Sequence, residues 1–537
     1  MKLKLLTAIG LSVSLAHVAW AGDMESILDE GTQAPQAKVA AKVAPAKSSP
    51  LIIAIKKKLG KANSEQNIFL RYLEDGEWDS AVIQFPKAFD GTAFQKTPTG
   101  RALFGLVQFN AGLPVAGIQT LFMASNPKEI VGELRDEWQK AAPADHFAWG
   151  LAQVQWQPAW EDVFNNEVEL RLKTKEALTS NKSVEQLQKL SAQAPVNSKE
   201  KGLIDWQLVI AESLNDHADQ AAKTLAVLMK NPNAPVSQEL MQITAARMLF
   251  QNGYFDAAIK YYEKVPKKSE YWTEAQEEMG WAYIRKGEPN NAMAISQSLV
   301  NADLNYQVSP EAYFVRSLSQ LKVCDYAGVT ESLQVFPKRF KDRTKMLEQL
   351  SHEAKTESVT KAIESLKAKR VQSQDLGKYA QNLPRRFSHD EKLYDFAQAQ
   401  KHLEDEAKTA EKLYAKSLAL TGLQGVFENM KQNSLHRAEA ARDASYGRVK
   451  ELAKEEVTET KEILRKLHIV EAELIQQVSV ADKIAKNAVA KPGDEKKGVT
   501  GYKGTAEAVH YPAEEEVWFD ELSNYRVDVK KACTVKR

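Results

Sequence analysis

Cysteine is scarce in this sequence: only two of the 537 residues are cysteines, and they lie far apart, at positions 324 and 533. The histidines stand singly, and the sequence contains no H-E-x-x-H metal motif, no G-x-S-x-G nucleophile motif and no phosphate-binding glycine loop. We therefore expect a protein that is not an enzyme and that holds no metal ion and no cofactor. An active site assembled from dispersed residues would leave no such motif. The missing motifs therefore argue only against the classes of enzyme that carry them.

Net charge and runs of glycine or β-branched residues are nearly absent as well. The 72 basic residues almost balance the 71 acidic ones, so we expect no long-range attraction to nucleic acid or to an anionic membrane surface. Apolar residues recur at helical spacing throughout the chain. The sequence therefore predicts an all-α protein.

The N-terminus has the form of an export signal. Lys2 and Lys4 precede an apolar core at residues 5–18, and the A-W-A sequence that ends at Ala21 is a typical cleavage site before Gly22. The apolar run is too short for a permanent membrane helix, and no cysteine follows the cleavage site to carry a lipid. We expect residues 1–21 to be a signal peptide. The mature chain would then be periplasmic, or alternatively secreted, with no transmembrane segment.

Residues 22–50 form an Ala/Pro/Lys tract with few large apolar side chains. Such a tract cannot bury enough surface to order itself, so it predicts a disordered linker between the cleavage site and the folded body. Its spaced lysines leave open a contact with anionic polymers of the cell envelope.

One helix-hairpin pattern recurs between residues 241 and 340, with a period of 34 residues from Gly253 to Gly287. The pattern consists of a turn glycine, an alanine followed four residues later by an aromatic residue, and a glycine three residues before a tyrosine. Its members are Gly253, Ala258, Tyr262, Gly280, Tyr283, Gly287 and Ala292.

Other parts of the chain repeat the pattern less completely. The earliest copy consists of Gly76, Trp78, Ala81 and Phe85. A degenerate copy follows at Gly112, with Gly117 in place of the alanine, which lowers helix propensity there. A third copy after Gly253 and Gly287 begins at Pro310 and has Cys324 where the others have the turn glycine.

These residues at this period resemble the tetratricopeptide repeat (TPR) family. The resemblance implies an α-solenoid over residues 51–340, clearest at 241–340, in which pairs of short antiparallel helices stack on one another. It also implies a concave face that binds extended peptides or partner helices, and no chemistry of its own.

The pattern ends after residue 340. Residues 341–388 predict a helical connector, and residues 389–491 predict a long antiparallel coiled-coil hairpin, because one narrow apolar seam recurs at steps of three and four residues. The seam consists of Ile463, Leu467, Val470, Leu474, Val478, Ala481 and Ile484. The arms differ in length, so the longer arm needs another partner, either the repeats or a second molecule in a homo-oligomer.

The C-terminal part divides into a flexible linker at residues 492–509 and a segment at residues 510–537 that is rich enough in apolar residues to dock on the repeats. In an exported protein an even pair of thiols is usually oxidised. We therefore predict a disulfide between Cys324 and Cys533 that ties this segment to the repeats. The alternative is a buried free Cys324 and an exposed Cys533.

Trp149, Trp156 and Trp160 form a dense aromatic cluster with two interpretations. The indoles pack between irregular hairpins, or they form a platform for a sugar or peptide ligand. The chain as a whole is similar to exported TPR proteins of gliding or predatory bacterial envelopes. The resemblance implies a non-enzymatic scaffold or adaptor that binds unidentified proteins of an envelope complex. The alternative function is a cell-wall or glycan-binding protein that uses the tryptophan cluster.

Overall fold

A computed structural model describes residues 49–487, except residues 125, 143–144, 153, 155–159, 161–182, 197, 232–233, 235, 302–306 and 419–422. The predicted signal peptide, residues 22–48 of the predicted linker and the residues after 487 lie outside the described residues, and so do Ala21, Gly22 and Cys533. Within the described ranges every regular element is a helix, which confirms the all-α prediction.

The helices are labelled α1 to α20 in chain order, and short 3-10 helices lie at Pro127–Glu129 and Ser373–Asn382. The first helices are α1 (Pro50–Leu59), α2 (Ser64–Asp75), α3 (Trp78–Phe89), α4 (Ala93–Lys96), α5 (Pro98–Asn110), α6 (Pro114–Phe122), α7 (Gly132–Ala141) and α8 (Asp145–Ala152). The middle helices are α9 (Val184–Gln193), α10 (Lys199–Leu214), α11 (Ala218–Lys230), α12 (Gln238–Gln251), α13 (Phe255–Glu263), α14 (Trp272–Lys286) and α15 (Pro289–Asn301). The last helices are α16 (Pro310–Lys322), α17 (Tyr326–His352), α18 (Glu357–Ala368), α19 (Glu391–Lys416) and α20 (Leu423–Asn487).

The chain divides into two compact units, and the boundary falls inside α15. Unit 1 contains the described residues between 177 and 295, with helices α9 to α14. Unit 2 contains the described residues between 38 and 176 and those from 296 onward, with helices α1 to α8 and α16 to α20. The sequence of unit 1 is therefore inserted into that of unit 2.

The same left-handed turn joins successive helices in both units. One residue of each turn has a φ between 60° and 88°, and the next residue donates its N–H to the carbonyl five residues earlier, at 2.9–3.0 Å. This is the hydrogen bond of a Schellman motif, which satisfies a carbonyl that the end of the helix leaves free. The turn residues are Gly76, Gly112, Asp216, Gly253, Gly287 and Cys324.

A small residue lies five positions after five of these turns and lets the two helices of the hairpin approach closely. These residues are Ala81, Gly117, Ala221, Ala258 and Ala292, while the turn at Cys324 has Val329 at this position, and all six residues are buried. Four positions further on, Phe85, Leu121, Leu225 and Tyr262 are buried too. The recurrence of turn, small residue and bulky residue shows that one hairpin geometry repeats along the chain.

In the hairpin of α5 and α6 the backbones of the two helices come into direct contact. A Cβ atom added at Gly105 would lie 2.6 Å from the carbonyl oxygen of Gly117, and one added at Gly117 would lie 2.6 Å from the carbonyl oxygen of Gly105. The two glycines therefore lower the helix propensity of α5 and α6 but allow close contact between their backbones. The glycine in place of the alanine makes this copy a weaker match to the sequence pattern, and the same glycine is what allows the two helices to pack so closely.

The long helix α20 runs through the whole of unit 2. Near its start Phe427 belongs to the apolar cluster of α1 to α8, and its middle packs with α17, α18 and α19 through Val449 and Leu452. Further on, Val470 and Leu474 pack with residues of α16 and α17. At 1.5 Å per residue, Phe427 and Leu474 are about 70 Å apart, so one continuous helix contacts both sequence segments of the unit at separate places.

Ion pairs with little solvent exposure fix α20 against its neighbours at mid-length. Arg448 donates from Nη2 to Oδ2 of Asp390, the N-cap of α19, at 2.7 Å. Glu456 accepts a bond from Nε of Arg343 on α17 at 2.7 Å, and its other oxygen accepts the backbone N–H of Arg385 at 2.7 Å. Such pairs require exact geometry because their charges are largely removed from water.

Predicted boundaries differ from the structure at two places. The predicted end of the repeats at residue 340 falls inside α17, which continues through Pro337 to His352. Phe336 and Phe340 lie on either side of Pro337, and both are buried and contact Tyr313. Their packing keeps α17 continuous despite the proline. The sequence predicts the turn of the long hairpin at residues 421–425, and α20 begins at Leu423, within that stretch.

None of the described helices is long and apolar enough to cross a membrane. α20 has the length, but charged residues recur along its surface and only one narrow stripe of it is buried.

We predict that Gly105→Ala destabilises the protein by about 1–3 kcal/mol, because the new methyl group would overlap the backbone of α6. Gly447→Ala is the matched control, since this exposed glycine of α20 has no atom within 4 Å of the added Cβ, and the change should stabilise by up to about 1 kcal/mol. Urea unfolding of the two variants measures both effects. Equal effects at the two positions would contradict the close contact of α5 and α6.

Candidate protein-interaction surfaces

The turn ends of the first hairpins form a surface that α19 covers. Asp79, three residues after the turn residue Gly76, accepts hydrogen bonds from Nζ of Lys412 at 2.5 Å and of Lys416 at 2.7 Å. Burial alone would raise the pKa of Asp79, but the two ammonium groups outweigh it and lower that pKa below its ordinary value. We call Asp79, Gly112, Val115 and Ala116 the covered turn edge.

The next hairpin meets α19 through a buried carboxylate. Glu406 is only 3% exposed, and its two oxygens accept the backbone N–H groups of Val115 at 3.4 Å and Ala116 at 3.2 Å, at the start of α6. Burial raises the pKa of Glu406 to about 7, because these two N–H groups and the more distant Arg437 only partly offset the loss of water. Val115 lies three residues after the turn residue Gly112, which is the position that Asp79 has after Gly76.

The tryptophan cluster lies partly at this same surface. The ring of Trp149 is 4.9 Å from that of His402 on α19, and the half-buried indole packs with Val115 and Leu403. Trp160 is fully buried, and its ring lies 5.4 Å from that of Phe122. Trp156 lies outside the described residues. The two described indoles therefore pack against protein.

Unit 1 has a second kind of surface, formed by the first helices of its hairpins. These first helices are α10, α12 and α14, and each has half-buried side chains at the same three positions relative to its turn residue. The positions lie 13, 9 or 10, and 6 residues before the turn residue. We call these side chains together the first-helix face. It consists of Leu203, Trp206, Ile210, Leu240, Thr244, Arg247, Glu274, Glu278 and Trp281. The spacing of three to four residues puts the members from each helix on one side of that helix.

Arg247 links two of these helices at the first-helix face. Its Nε donates to both oxygens of Glu278, and its Nη2 donates to Glu274 at 2.6 Å. Tyr262, from the second helix of the hairpin, donates its hydroxyl to Glu278 at 3.0 Å. Burial lowers the pKa of Arg247, but the two carboxylates outweigh it and raise that pKa above its ordinary value. The network sets the register between neighbouring hairpins.

The turn at Cys324 differs chemically from the other turns. Its φ is 60°, a conformation that glycine adopts freely and that other L-residues rarely adopt. The predicted partner Cys533 lies outside the described residues, so their pairing stays a prediction. The following residue, Asp325, caps α17 by accepting the N–H of Gly328 at 3.0 Å.

The residues chosen from the sequence pattern are hairpin residues, and the structure spreads them over the hairpins instead of gathering them into one site. Gly76, Gly253 and Gly287 have positive φ, and Gly280 is buried. Ala81, Phe85, Ala258, Tyr262 and Ala292 are buried, and Trp78 and Tyr283 are half-buried. Among the described residues no cluster of His, Cys, Asp and Glu could hold a metal ion.

The sequence interpretation missed Asp216, Glu406 and Arg247. A spacing of 37 residues between Asp216 and Gly253 could have indicated the turn, since aspartate tolerates the left-handed conformation better than most residues. Glu406 and Arg247 had no sequence signal, because their roles arise from contacts with other helices.

No model of a known protein family matches this sequence, and no curated protein matches it.

We predict that the contribution of Glu406 to the stability of unit 2 falls between pH 4.5 and 7, because its carboxyl group binds its proton more tightly in the folded state than in the unfolded chain. With a folded pKa of about 7 and an ordinary value of 4.5, its contribution is complete below pH 4.5 and is lost as the pH rises to 7. The loss is on the order of 3 kcal/mol. Glu406→Gln should flatten this profile in denaturant unfolding at each pH.

The exposed Glu411→Gln on the same helix is the matched control and should keep the wild-type profile. If the Glu406 variant kept the wild-type slope, the buried carboxyl group would not be the titrating group.

We predict opposite effects of Cys324→Gly in the two redox states. Under reducing conditions the glycine relieves the left-handed strain and should stabilise the protein by about 1 kcal/mol. Under oxidising conditions the same variant should be less stable than the wild type, because it cannot form the predicted bridge. Thermal unfolding with and without reductant measures both effects, and Cys533→Ser should lose only the oxidised stabilisation. If the melting temperature of the wild-type protein were the same with and without reductant, the bridge would be ruled out.

Proposed function

We propose that this protein is a non-enzymatic scaffold that is exported to the bacterial periplasm and holds partner proteins of a cell-envelope complex on TPR-like helical hairpins. The observation that carries the proposal is the repeated hairpin with one left-handed turn and one small residue at a fixed position. Repeated hairpins that stack on one another generate extended binding surfaces, and their side chains vary without loss of the fold. Export is inferred from the signal-like N-terminus of the sequence.

The first-helix face of unit 1 is the surface that we assign to the partner. It combines apolar and aromatic side chains, among them Trp206 and Ile210, with the charged group Arg247 and its glutamates. Aromatic residues and arginine are the residue types that contribute most to binding at protein interfaces. All of these side chains are half-buried, so they lie within reach of a bound segment.

The long hairpin of α19 and α20 acts as the frame of the scaffold. Ile463, Leu467, Val470 and Leu474, which form the first part of the predicted seam, are buried inside this chain. These seam positions are therefore unavailable to a second molecule. A homo-oligomer through the seam would have to use its later positions, of which Val478 is 43% exposed.

The alternative function, glycan binding by the tryptophan cluster, requires indoles that are open to solvent. The burial of Trp160 and the contact of Trp149 with α19 favour a packing role for these two side chains.

We predict that a photo-crosslinking amino acid at Ile210 in the full-length protein captures envelope proteins in living cells. The matched control is the same amino acid at Val227, which is 60% exposed on the second helix α11 and lies off the first-helix face. Mass spectrometry should find the same envelope proteins repeatedly at position 210 and not at position 227. Recovery of only self-links or glycan adducts at position 210 would contradict the scaffold function.

A further inference from the structure

Arg316 on α16 is a buried charge that lacks a partner. It is only 7% exposed. In the part of the chain that the structure describes, no carboxylate forms an ion pair with its guanidinium, and its buried Nε has no hydrogen-bond partner. Buried charges in proteins are normally paired, because an unpaired one loses its hydration without compensation. Arg316 is therefore a cation that needs an anion in direct contact.

The hairpin fold does not explain an arginine at this position. Arg316 lies eight residues before the turn residue Cys324. In the five other hairpins with this turn, the residue eight positions before it is apolar and buried or half-buried. These residues are Ile68, Phe104, Leu208, Ala245 and Met279.

The contacts of its neighbours put Arg316 on the side of α16 that faces α17. Tyr313, three residues earlier, contacts Phe336 of α17. Gln320, four residues later, accepts a hydrogen bond from Ser332 of α17 at 2.9 Å. Residues three and four apart lie on one side of a helix, so Arg316 shares this side.

Two carboxylates of α17 and its cap act on Arg316 without satisfying it. Burial lowers the pKa of the guanidinium, and the attraction of Glu331 and Asp325 offsets this only in part. Asp325 caps α17 by accepting the N–H of Gly328, and Glu331 is exposed. Both residues follow the turn at Cys324, so the guanidinium lies in the half of the hairpin next to that turn.

An acidic stretch of this chain lies within reach of the hairpin. Residues 514–521 have the sequence EEEVWFDE, which contains five carboxylates, three apolar side chains and no lysine or arginine. α20 ends at Asn487, about 20 Å beyond Leu474, which packs with residues of α16 and α17. The chain from Asn487 to Glu514 can span up to about 90 Å, which is more than enough to return to α16.

We infer that the acidic stretch, residues 514–521, docks on the hairpin of α16 and α17 and that one of its carboxylates pairs with Arg316. An arginine binds a carboxylate through two parallel N–H···O bonds, which replace the hydration that burial removes. The docked stretch brings Cys533 towards Cys324 of the same hairpin, as the predicted disulfide requires. A later segment of the chain then closes this turn, as α19 closes the covered turn edge.

Hydrogen exchange of the full mature chain, followed by mass spectrometry, tests this contact. Reductant is present, so that no disulfide holds the segment. Peptides that cover residues 510–522 should exchange slowly in the wild type. Arg316→Met should raise their exchange rate at least tenfold, because methionine fits this position in another hairpin, at Met279, but cannot bind a carboxylate. Lys322→Met, at an exposed cation of the same helix, is the matched control and should change the rate less than twofold.

Substitutions in the acidic stretch identify the partner and leave α16 and α17 unaltered. One set is Glu514→Gln with Glu515→Gln and Glu516→Gln, and the other is Asp520→Asn with Glu521→Gln. At least one set should raise the exchange rate as much as Arg316→Met does, and its combination with Arg316→Met should add nothing further. Asp528→Asn, outside the stretch, is the control and should leave the rate unchanged.

Fast exchange of residues 510–522 in the reduced wild type would overturn the inference, because the stretch would not be docked. Slow exchange that Arg316→Met leaves unchanged would overturn it too, since the guanidinium would then pair within its own hairpin, with Glu331. Slow exchange that neither set of carboxylate variants alters would exclude this stretch as the partner.

If Arg316→Met also raised exchange in α16 and α17, the hairpin itself would have opened, and the carboxylate variants alone would decide. The inference concerns the assembly of this chain and does not rest on the proposed function. Crosslinking at Ile210 probes unit 1, so a failure of the scaffold proposal is distinguishable from a failure of this contact.

Discussion

The close approach of two helices just after a left-handed turn is the contact on which the rest of the structure depends. Each turn gives a hydrogen-bond donor to a carbonyl group near the end of the first helix, and the small residue five positions later allows the second helix to pack against the first. In the hairpin of α5 and α6 this contact is backbone against backbone, so no side chain larger than hydrogen fits. The geometry recurs in both units. It depends on the turn and on the buried residues after it, and the side chains of the surface proposed for binding lie outside these positions.

The long helix α20 covers apolar side chains of the hairpins in unit 2 that would otherwise be exposed. In the part of the chain that the structure describes, α16 and α17 form the last hairpin with the left-handed turn, and α20 covers Val329 and its neighbours with Val470 and Leu474. At the other end of unit 2, α19 covers the turn ends of the first hairpins with lysines and a buried glutamate. One helical hairpin therefore caps the exposed ends of the repeats in unit 2 by two different chemistries, one apolar and one polar.

The sequence predicts the all-α class and the turn glycines well, because each depends on a local cause. Periodicity indicates a helix, and Gly76, Gly253 and Gly287 are the residues that adopt a left-handed turn at least cost. Asp216 escapes the pattern because an aspartate fills the glycine position. The apolar seam of α20 identifies a buried face, but no spacing identifies α16 and α17 as what covers it. Glu406 is one glutamate among many until a distant segment buries it.

The polar cap of the first hairpins also orders the events of folding. Glu406 and the N–H groups that it binds are 290 and 291 residues apart, and Lys416 and Asp79 are 337 residues apart. A chain is made from its N-terminus, so α2 to α8 are complete long before the helix that covers them exists. Their turn ends stay exposed until α19 arrives, and closing so large a loop adds entropy cost and slows the final step. A nascent or truncated chain that stops before residue 406 would present those uncovered ends to chaperones, proteases and other copies of itself.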